Sequence, residues 1–385
     1  MYRIGKEEIE AVTRVIDTRS LFKINNSQQE TMHAEEEARA LFGTKNALLM
    51  TSGHAALVSA LIGMGIGPGD EVIVPAYTYI ATAMAVVQAG AIPVIAEIDE
   101  TRTLCPIDTE RKITKHTKAI LPVHIQGFPC DMDAFRALGK KYGIKVLEDA
   151  CQSVGGTYKG KRLGTIGDAG ALSFNYFKVI TAGEGGALLT DDKQIAERAL
   201  IYHDSSAVAF FGDQLSGVEE ALFCGNEYRT NEVSSAILRQ QMKRLDGIIG
   251  DLAKNRERLK KALDGICKFI PSNDEDGGCP TTLALDFDTA EEAAAFAEKC
   301  GATVPINTGK HVYSNWTPIM QKKGALHPLM DPFKMEANKD IVPDYSVDMC
   351  PRSLDLLSRT AYIWIDPDWT DADFEKVLAR IKSSL

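Results

Sequence analysis

The sequence has no CxxC pair among its eight cysteines, and no histidine stands near any of them at zinc spacing. Single cysteines at positions 105, 130, 151, 224, 267, 279, 300 and 350 exclude zinc fingers and ribbons and argue against a disulfide frame. They read as reduced thiols of a cytoplasmic protein. No apolar run reaches transmembrane length, so no membrane partner is expected. The opening MYRIGKEEIEAVTRVID is charged and amphipathic, unlike a signal peptide. Positive charge is in deficit, with 43 Lys and Arg against 53 Asp and Glu and a net charge of −10. That balance argues against nucleic-acid partners, which need a basic face. Internal repeats and low-complexity tracts are absent as well.

What remains is ordinary globular composition in 385 residues, longer than a single core usually grows, so two domains are expected. From residue 44 onward short apolar runs alternate with helical periods. VIVPAY (72–77), IPVIAEI (92–98), AILPVHI (119–125) and IKVLEDA (144–150) read as strands, as do AGALSF (169–174) and GALLTD (186–191). Continuous Val/Ile/Leu runs without in-out alternation belong to strands covered on both faces. Helices are expected over 80–90 and 133–143, and strand–helix–strand succession predicts an α/β fold with a mostly parallel central sheet flanked by helices. One long helical period covers about 230–265, followed by TTLALDF, EEAAAFAEKCG, a loop-rich region, AYIWIDP and a final helix capped by Thr370. The expected division is an N-terminal arm and large domain over 1–245 and a smaller C-terminal α+β domain over 246–385.

Ligands of open α/β sheets bind at the carboxyl ends of strands. Three features fall there. In LLMTSGHAAL a strand turns through Ser52, Gly53 and His54 into a helix, whose free N–H groups suit a phosphate. In VLEDACQ, Asp149 ends an apolar strand, where a carboxylate is costly without a partner; a simple helix N-cap is the alternative. In SFNYFKVITAGEGG, Lys178 interrupts an apolar stretch after the next strand, either as a surface lysine or as a reagent. Together the three are the set that pyridoxal phosphate requires. A desolvated amine takes the cofactor aldehyde and later moves protons, the carboxylate keeps the pyridine nitrogen protonated, and the glycine turn holds the phosphate. No metal site is expected.

The stretches TSGHAAL, DEVIVPAYTYIATAMAVVQAGAIPV, VLEDACQSVGG, GDAGALSFNYFKVITAGEGGALLTDD and EYRTNEVSSAILRQQMKRLD resemble, in order and spacing, the DegT/StrS family of sugar aminotransferases. The resemblance is strong over about 30–250 and looser beyond. It implies a fold-type I pyridoxal-phosphate enzyme that aminates keto-sugars, commonly as a homodimer. By position it implies Lys178 as the Schiff-base lysine, Asp149 as the pyridine partner and Gln152 beside the ring 3-oxygen. Ser52, Gly53, His54 and Ser173 take the phosphate, and Tyr79 stacks on the ring, with Tyr77 as an alternative or a core tyrosine. The segment GNEYR, carrying Asn226, would enter the site of the other subunit. Two departures stand out: His54 replaces the usual threonine, and Glu227 occupies the usual asparagine position.

Other candidates are divided between function and packing. His124 is a core histidine or a substrate contact, His203 caps a helix end, and Arg229 binds a donor carboxylate or makes an ion pair. His311, Tyr313 and Trp316 line a sugar pocket or merely pack. Glu184 is expected to tie down the turn after Lys178. The resemblance thus implies transfer of an amino group from glutamate or glutamine to a keto-sugar, nucleotide-linked or a free acid sugar; short matches are similar to 8-amino-3,8-dideoxyoctulosonate transaminases. Sugar dehydratases of the same family carry His in place of the lysine, so Lys178 counts against that alternative. A non-catalytic regulator would need an added interaction module that the sequence does not show.

Overall fold

The buried apolar runs become the strands of one sheet. A computed structural model describes residues 3–23, 28–204 and 217–385. Its main sheet contains β1 (Asn46–Met50), β2 (Glu71–Pro75), β3 (Ile92–Ala96), β4 (Thr117–Ile120), β5 (Lys145–Asp149), β8 (Ala169–Ser173) and β9 (Gly186–Thr190). A separate ribbon pairs β6 (Thr157–Tyr158) with β7 (Lys161–Arg162). Strand order across the main sheet is β1-β9-β8-β5-β4-β2-β3. Only β9 runs against its neighbours; the pairs from β8 through β5, β4 and β2 to β3 are all parallel. Every residue of β2, β8 and β9 is buried, which explains their lack of alternation.

Helices α1 (Lys6–Asp17), α2 (Glu30–Phe42), α3 (Gly53–Gly63), α4 (Ala81–Gln88), α5 (Pro106–Arg111), α6 (Met132–Tyr142) and α7 (Lys193–His203) precede the long α8 (Glu232–Ala262). Its buried positions Leu238, Met242, Leu245, Ile248, Leu252, Asn255 and Leu259 recur at three- to four-residue spacing, the stripe of an amphipathic helix. α8 runs unbroken through residue 245. After it, β10 (Lys268–Phe269), β11 (Thr282–Asp286) and β12 (Thr360–Trp364) form an antiparallel sheet, in the order β10-β11-β12. α9 (Ala290–Cys300), α10 (Thr317–Met320), α11 (Pro351–Ser358) and α12 (Asp371–Ser384) complete the chain. Thr370 caps α12 as the sequence indicates, accepting from the Asp373 N–H.

One expected strand is shorter than its apolar run. The strand read over 119–125 ends at Ile120, because Pro122 has no N–H to offer a ladder. Only Val123 bridges to Asp149, and Ile125–Gly127 forms a short 3-10 turn with Gln126 at φ 52°. The loops between α9 and α11 then fold back over the main sheet. Val312 bridges to Tyr77, and the Tyr345 hydroxyl donates to the Pro93 carbonyl at 2.6 Å. All eight cysteines are free thiols. Among the described residues no helix is long and apolar enough to cross a membrane.

The topology therefore gathers the carboxyl ends of β1, β2, β4, β5 and β8 along one edge, together with the start of β9.

Candidate active site

Along that edge the chain makes one concentrated group of polar residues. After β1, Ser52 caps α3 by accepting from the Ala55 N–H at 3.1 Å. The next N–H groups, of Gly53 and His54, have no partner among the described residues, so the helix start offers two donors. Space there is tight. A Cβ added at Gly53 would lie 2.7 Å from Cys151 Sγ and 2.9 Å from Ser173 Cβ. One added at Gly186 would lie 2.3 Å from the Ser52 carbonyl. Both glycines are required because three strand-end backbones meet here, which brings Ser173 against the turn. Both imidazole nitrogens of His54 are engaged, Nδ1 with the Ala81 carbonyl at 3.2 Å and Nε2 with Gln88 Oε1 at 2.7 Å. Its backbone N–H, rather than the ring, is what His54 offers in place of a threonine hydroxyl.

Asp149 ends β5 and is 5 % exposed. One carboxylate oxygen accepts from the Thr82 hydroxyl at 2.8 Å and the other from the Cys151 N–H at 3.1 Å. Among the described residues no cation lies within ion-pair distance, and a buried carboxylate so placed calls for a cationic partner. Behind it stands a fully buried pair, His124 and Glu148. The Cys130 N–H donates to His124 Nδ1 at 3.1 Å, so the ring proton sits on Nε2 and is donated to Glu148 at 3.0 Å. Glu148 also accepts from the N–H groups of Gly164 (2.9 Å), Ile166 (2.5 Å) and Gly167 (2.7 Å). The His124 backbone N–H donates to the Asp149 carbonyl at 3.0 Å, tying this pair to the carboxylate's strand. Of its two readings, His124 is a core histidine.

Lys178 lies on the loop between β8 and β9, half-buried, and among the described residues its ammonium has no hydrogen-bond or ion-pair partner. Asn175 Nδ2 donates to Glu184 Oε1 at 2.9 Å across that loop, the tie expected of Glu184. Cys151 is acted on by both charged groups. Burial pushes its thiol well up, Asp149 adds to this, and Lys178 opposes it. Gln152 accepts the Gln126 N–H at 3.3 Å.

At the rim, Tyr79 is 41 % exposed whereas Tyr77 is buried. The Tyr79 ring stands 5.5 Å from that of His311, whose loop is fastened by Thr78 N–H to the His311 carbonyl at 2.9 Å. His311 is pushed below its ordinary value by burial, and further by the charges of Lys178 and Lys310. Tyr313 and Trp316 are buried and pack, with the Tyr313 hydroxyl donating to the Val347 carbonyl at 2.7 Å. Arg229 makes ion pairs with Asp204 and Glu227, and His203 ends α7 with Nδ1 donating to the Leu200 carbonyl at 2.8 Å. Asn226 is exposed and donates to the Tyr202 hydroxyl at 2.6 Å. Its neighbour Tyr228 instead accepts from Gln88 at 3.0 Å and so reaches His54. Sequence reasoning passed over Thr82, Gln88 and Glu148. Glu148 carried a signal, since two adjacent carboxylates on one strand face opposite sides.

The residues present fit pyridoxal phosphate on two counts: Asp149 is a buried carboxylate with no cation within ion-pair distance among the described residues, and the Gly53 and His54 N–H groups stand without a described partner at the start of α3. Comparison with known proteins agrees. The model of the DegT/DnrJ/EryC1/StrS aminotransferase family matches residues 2–315. The chain belongs to this family. It is a pyridoxal-phosphate-dependent aminotransferase. Among curated relatives, the spore coat polysaccharide biosynthesis protein SpsC of Bacillus subtilis is 41% identical over 273 residues, covering 70% of this chain and 68% of SpsC. Among solved structures, an aminotransferase from Psychrobacter cryohalolentis superposes with a TM-score of 0.79 at 26% identity, covering 99% of this chain and 96% of that one. DesV of S. venezuelae does so at 0.77 and 28%, covering 98% and 94%. The sheet edge that carries Asp149 and Lys178 is thus the candidate active site of a DegT-type aminotransferase.

Proposed function

We propose that the protein transfers an amino group from glutamate or glutamine to a keto-sugar, in two half-reactions at the edge formed by Ser52–His54, Asp149 and Lys178. The observation that carries this reading is a half-buried lysine on the same sheet edge as a buried aspartate, neither with an ion-pair partner among the described residues. When bound, pyridoxal 5'-phosphate supplies an electron sink for the carbanion formed at the substrate carbon. Lys178 would take the cofactor aldehyde, then, once released, move a proton on and off the substrate carbon. Such positioned proton transfer contributes about 10²–10⁴-fold in rate. Asp149 would keep the ring nitrogen protonated, steadied by Thr82 and the Cys151 N–H. Gln152 would face the ring 3-oxygen. The N–H groups of Gly53 and His54, with Ser52 and Ser173, would hold the phosphate. Tyr79 would cover the ring.

The name of SpsC, a polysaccharide biosynthesis protein, supports a sugar acceptor, either nucleotide-linked or a free acid sugar of the octulosonate type. We further propose a cytoplasmic homodimer in which the Asn226 segment reaches the site of the second copy, and a division of the chain near residue 245. The test is a two-step assay. L-glutamate or L-glutamine should bleach the visible band of the cofactor-loaded protein, and a keto-sugar from a panel of free and nucleotide-linked ketones should restore it as a new amino group appears. A loaded protein that no amino acid bleaches would overturn the reading.

A further inference from the structure

The mouth of the site carries positive charge that no described residue neutralises. Lys310 sits in the short 3-10 turn Gly309–His311, with its backbone clamped from two sides. Its carbonyl accepts from the Ile80 N–H at 3.0 Å and from Trp316 Nε1 at 2.8 Å. Trp316 is fully buried, so the clamp is anchored in the core. The side chain, in contrast, is exposed, and its ammonium stands 5.8 Å from the centre of the Tyr79 ring. Among the described residues no carboxylate lies within ion-pair distance of it, in a chain whose acids outnumber its bases by ten. His311 lies against the same tyrosine, and the charges of Lys178 and Lys310 are both felt at its imidazole. The two unpaired ammonium groups therefore act on one small region, one at the reacting position and one at the rim.

A solvated surface lysine ordinarily signifies nothing. Here the backbone is fixed, the aromatic neighbour is the one proposed to cover the cofactor, and no anion of the described residues competes. We propose that Lys310 receives a negatively charged group, a carboxylate or a phosphate, on the molecule whose reacting carbon faces Lys178. This rests on the transaminase reading above and adds to it a residue that selects anionic substrates. The charge has two sources, the carboxylate of the amino donor or an anionic group on the keto-sugar, and the test separates them.

Cofactor-loaded wild type, Lys310→Gln and Lys310→Arg are compared in two arms. The first measures the second-order rate constant for bleaching by L-glutamate, which reports the donor. The second measures inhibition of that bleaching by D-gluconate and by inorganic pyrophosphate, with the uncharged D-glucitol as control; these report a sugar-side anion. Lys310→Gln should weaken at least one of the three anions about tenfold, the scale of a partly desolvated charge pair, and leave D-glucitol unchanged. Lys310→Arg should restore most of the loss. If all three anions keep their constants within about twofold in Lys310→Gln, the exposed-pair scale, or if D-glucitol weakens in parallel, the inference is overturned. A protein that forms no visible band with the cofactor fails the transaminase reading; one that forms it and shows unchanged anion constants fails this inference alone.

Discussion

Asp149 and Lys178 were legible in the sequence because each contradicts its surroundings, a charge set in an apolar run. Their partners were not. Thr82 lies 67 residues before Asp149 and Gln88 lies 34 residues after His54, and nothing local in either stretch announces the contact. Only the sheet order joins them. His124, which the sequence left open between core and substrate, was decided by a single backbone donor, the Cys130 N–H. Two substitutions test the site residue by residue. Asp149→Asn keeps the shape and removes the charge, so turnover should fall about 10²-fold or more, the scale of a lost buried charge pair, with folding retained. Steady-state assays beside a thermal melt will separate these effects, and near-normal turnover would contradict the role. Gly53→Ala forces a methyl into contact with Cys151 and Ser173. Overpacking of this kind costs about 1–3 kcal/mol, and cofactor affinity, followed by titration of the visible band, should drop about tenfold.

The strands were predictable to within a residue or two where both faces are buried, as in β2 and β9. Prediction failed where the chain leaves the ladder. β4 stops at Ile120 because of Pro122, and the residues beyond it, though apolar, form the bend that carries Gln126 to Gln152. Beyond its ladder pairing with β4 and β8, β5 is tied to His124 and to the turn at 164–167 by an acceptor, Glu148, placed under four donors. Glu148→Gln would turn an NH₂ toward one set of them and leave buried donors unmet, at a cost of about 2–3 kcal/mol. The melting temperature should fall by several degrees, and Glu148→Asp should recover little, because the shorter carboxylate cannot reach both sides. A melt unchanged in Glu148→Gln would show that the turn at 164–167 is held by something else.

Across the whole molecule, the N-terminal helices are fastened to α8 by carboxylates. Burial pushes Glu8 and Glu30 up, but hydrogen bonds from Arg244, the Gly5 N–H and Gln241 to the first, and from Arg14 and Arg239 to the second, outweigh it. Both end below the ordinary value of 4.5. Groups lowered on folding stabilise fully above that value, and the stabilisation is lost as pH falls through their folded values. Amide exchange should therefore show α1 and the start of α2 opening before the main sheet as pH drops below about 4.5. Uniform opening would contradict this. Light scattering on the loaded protein will check the homodimer, for which a monomer at micromolar concentration is the adverse result. The site itself is tested most directly by chemistry on the intact protein. Wild type loaded with pyridoxal 5'-phosphate is reduced with borohydride, digested, and mapped by mass spectrometry. The expected result is one pyridoxyl-phosphate adduct on Lys178, absent when L-glutamate has first bleached the band; an adduct on another lysine, or none, would contradict the proposed site.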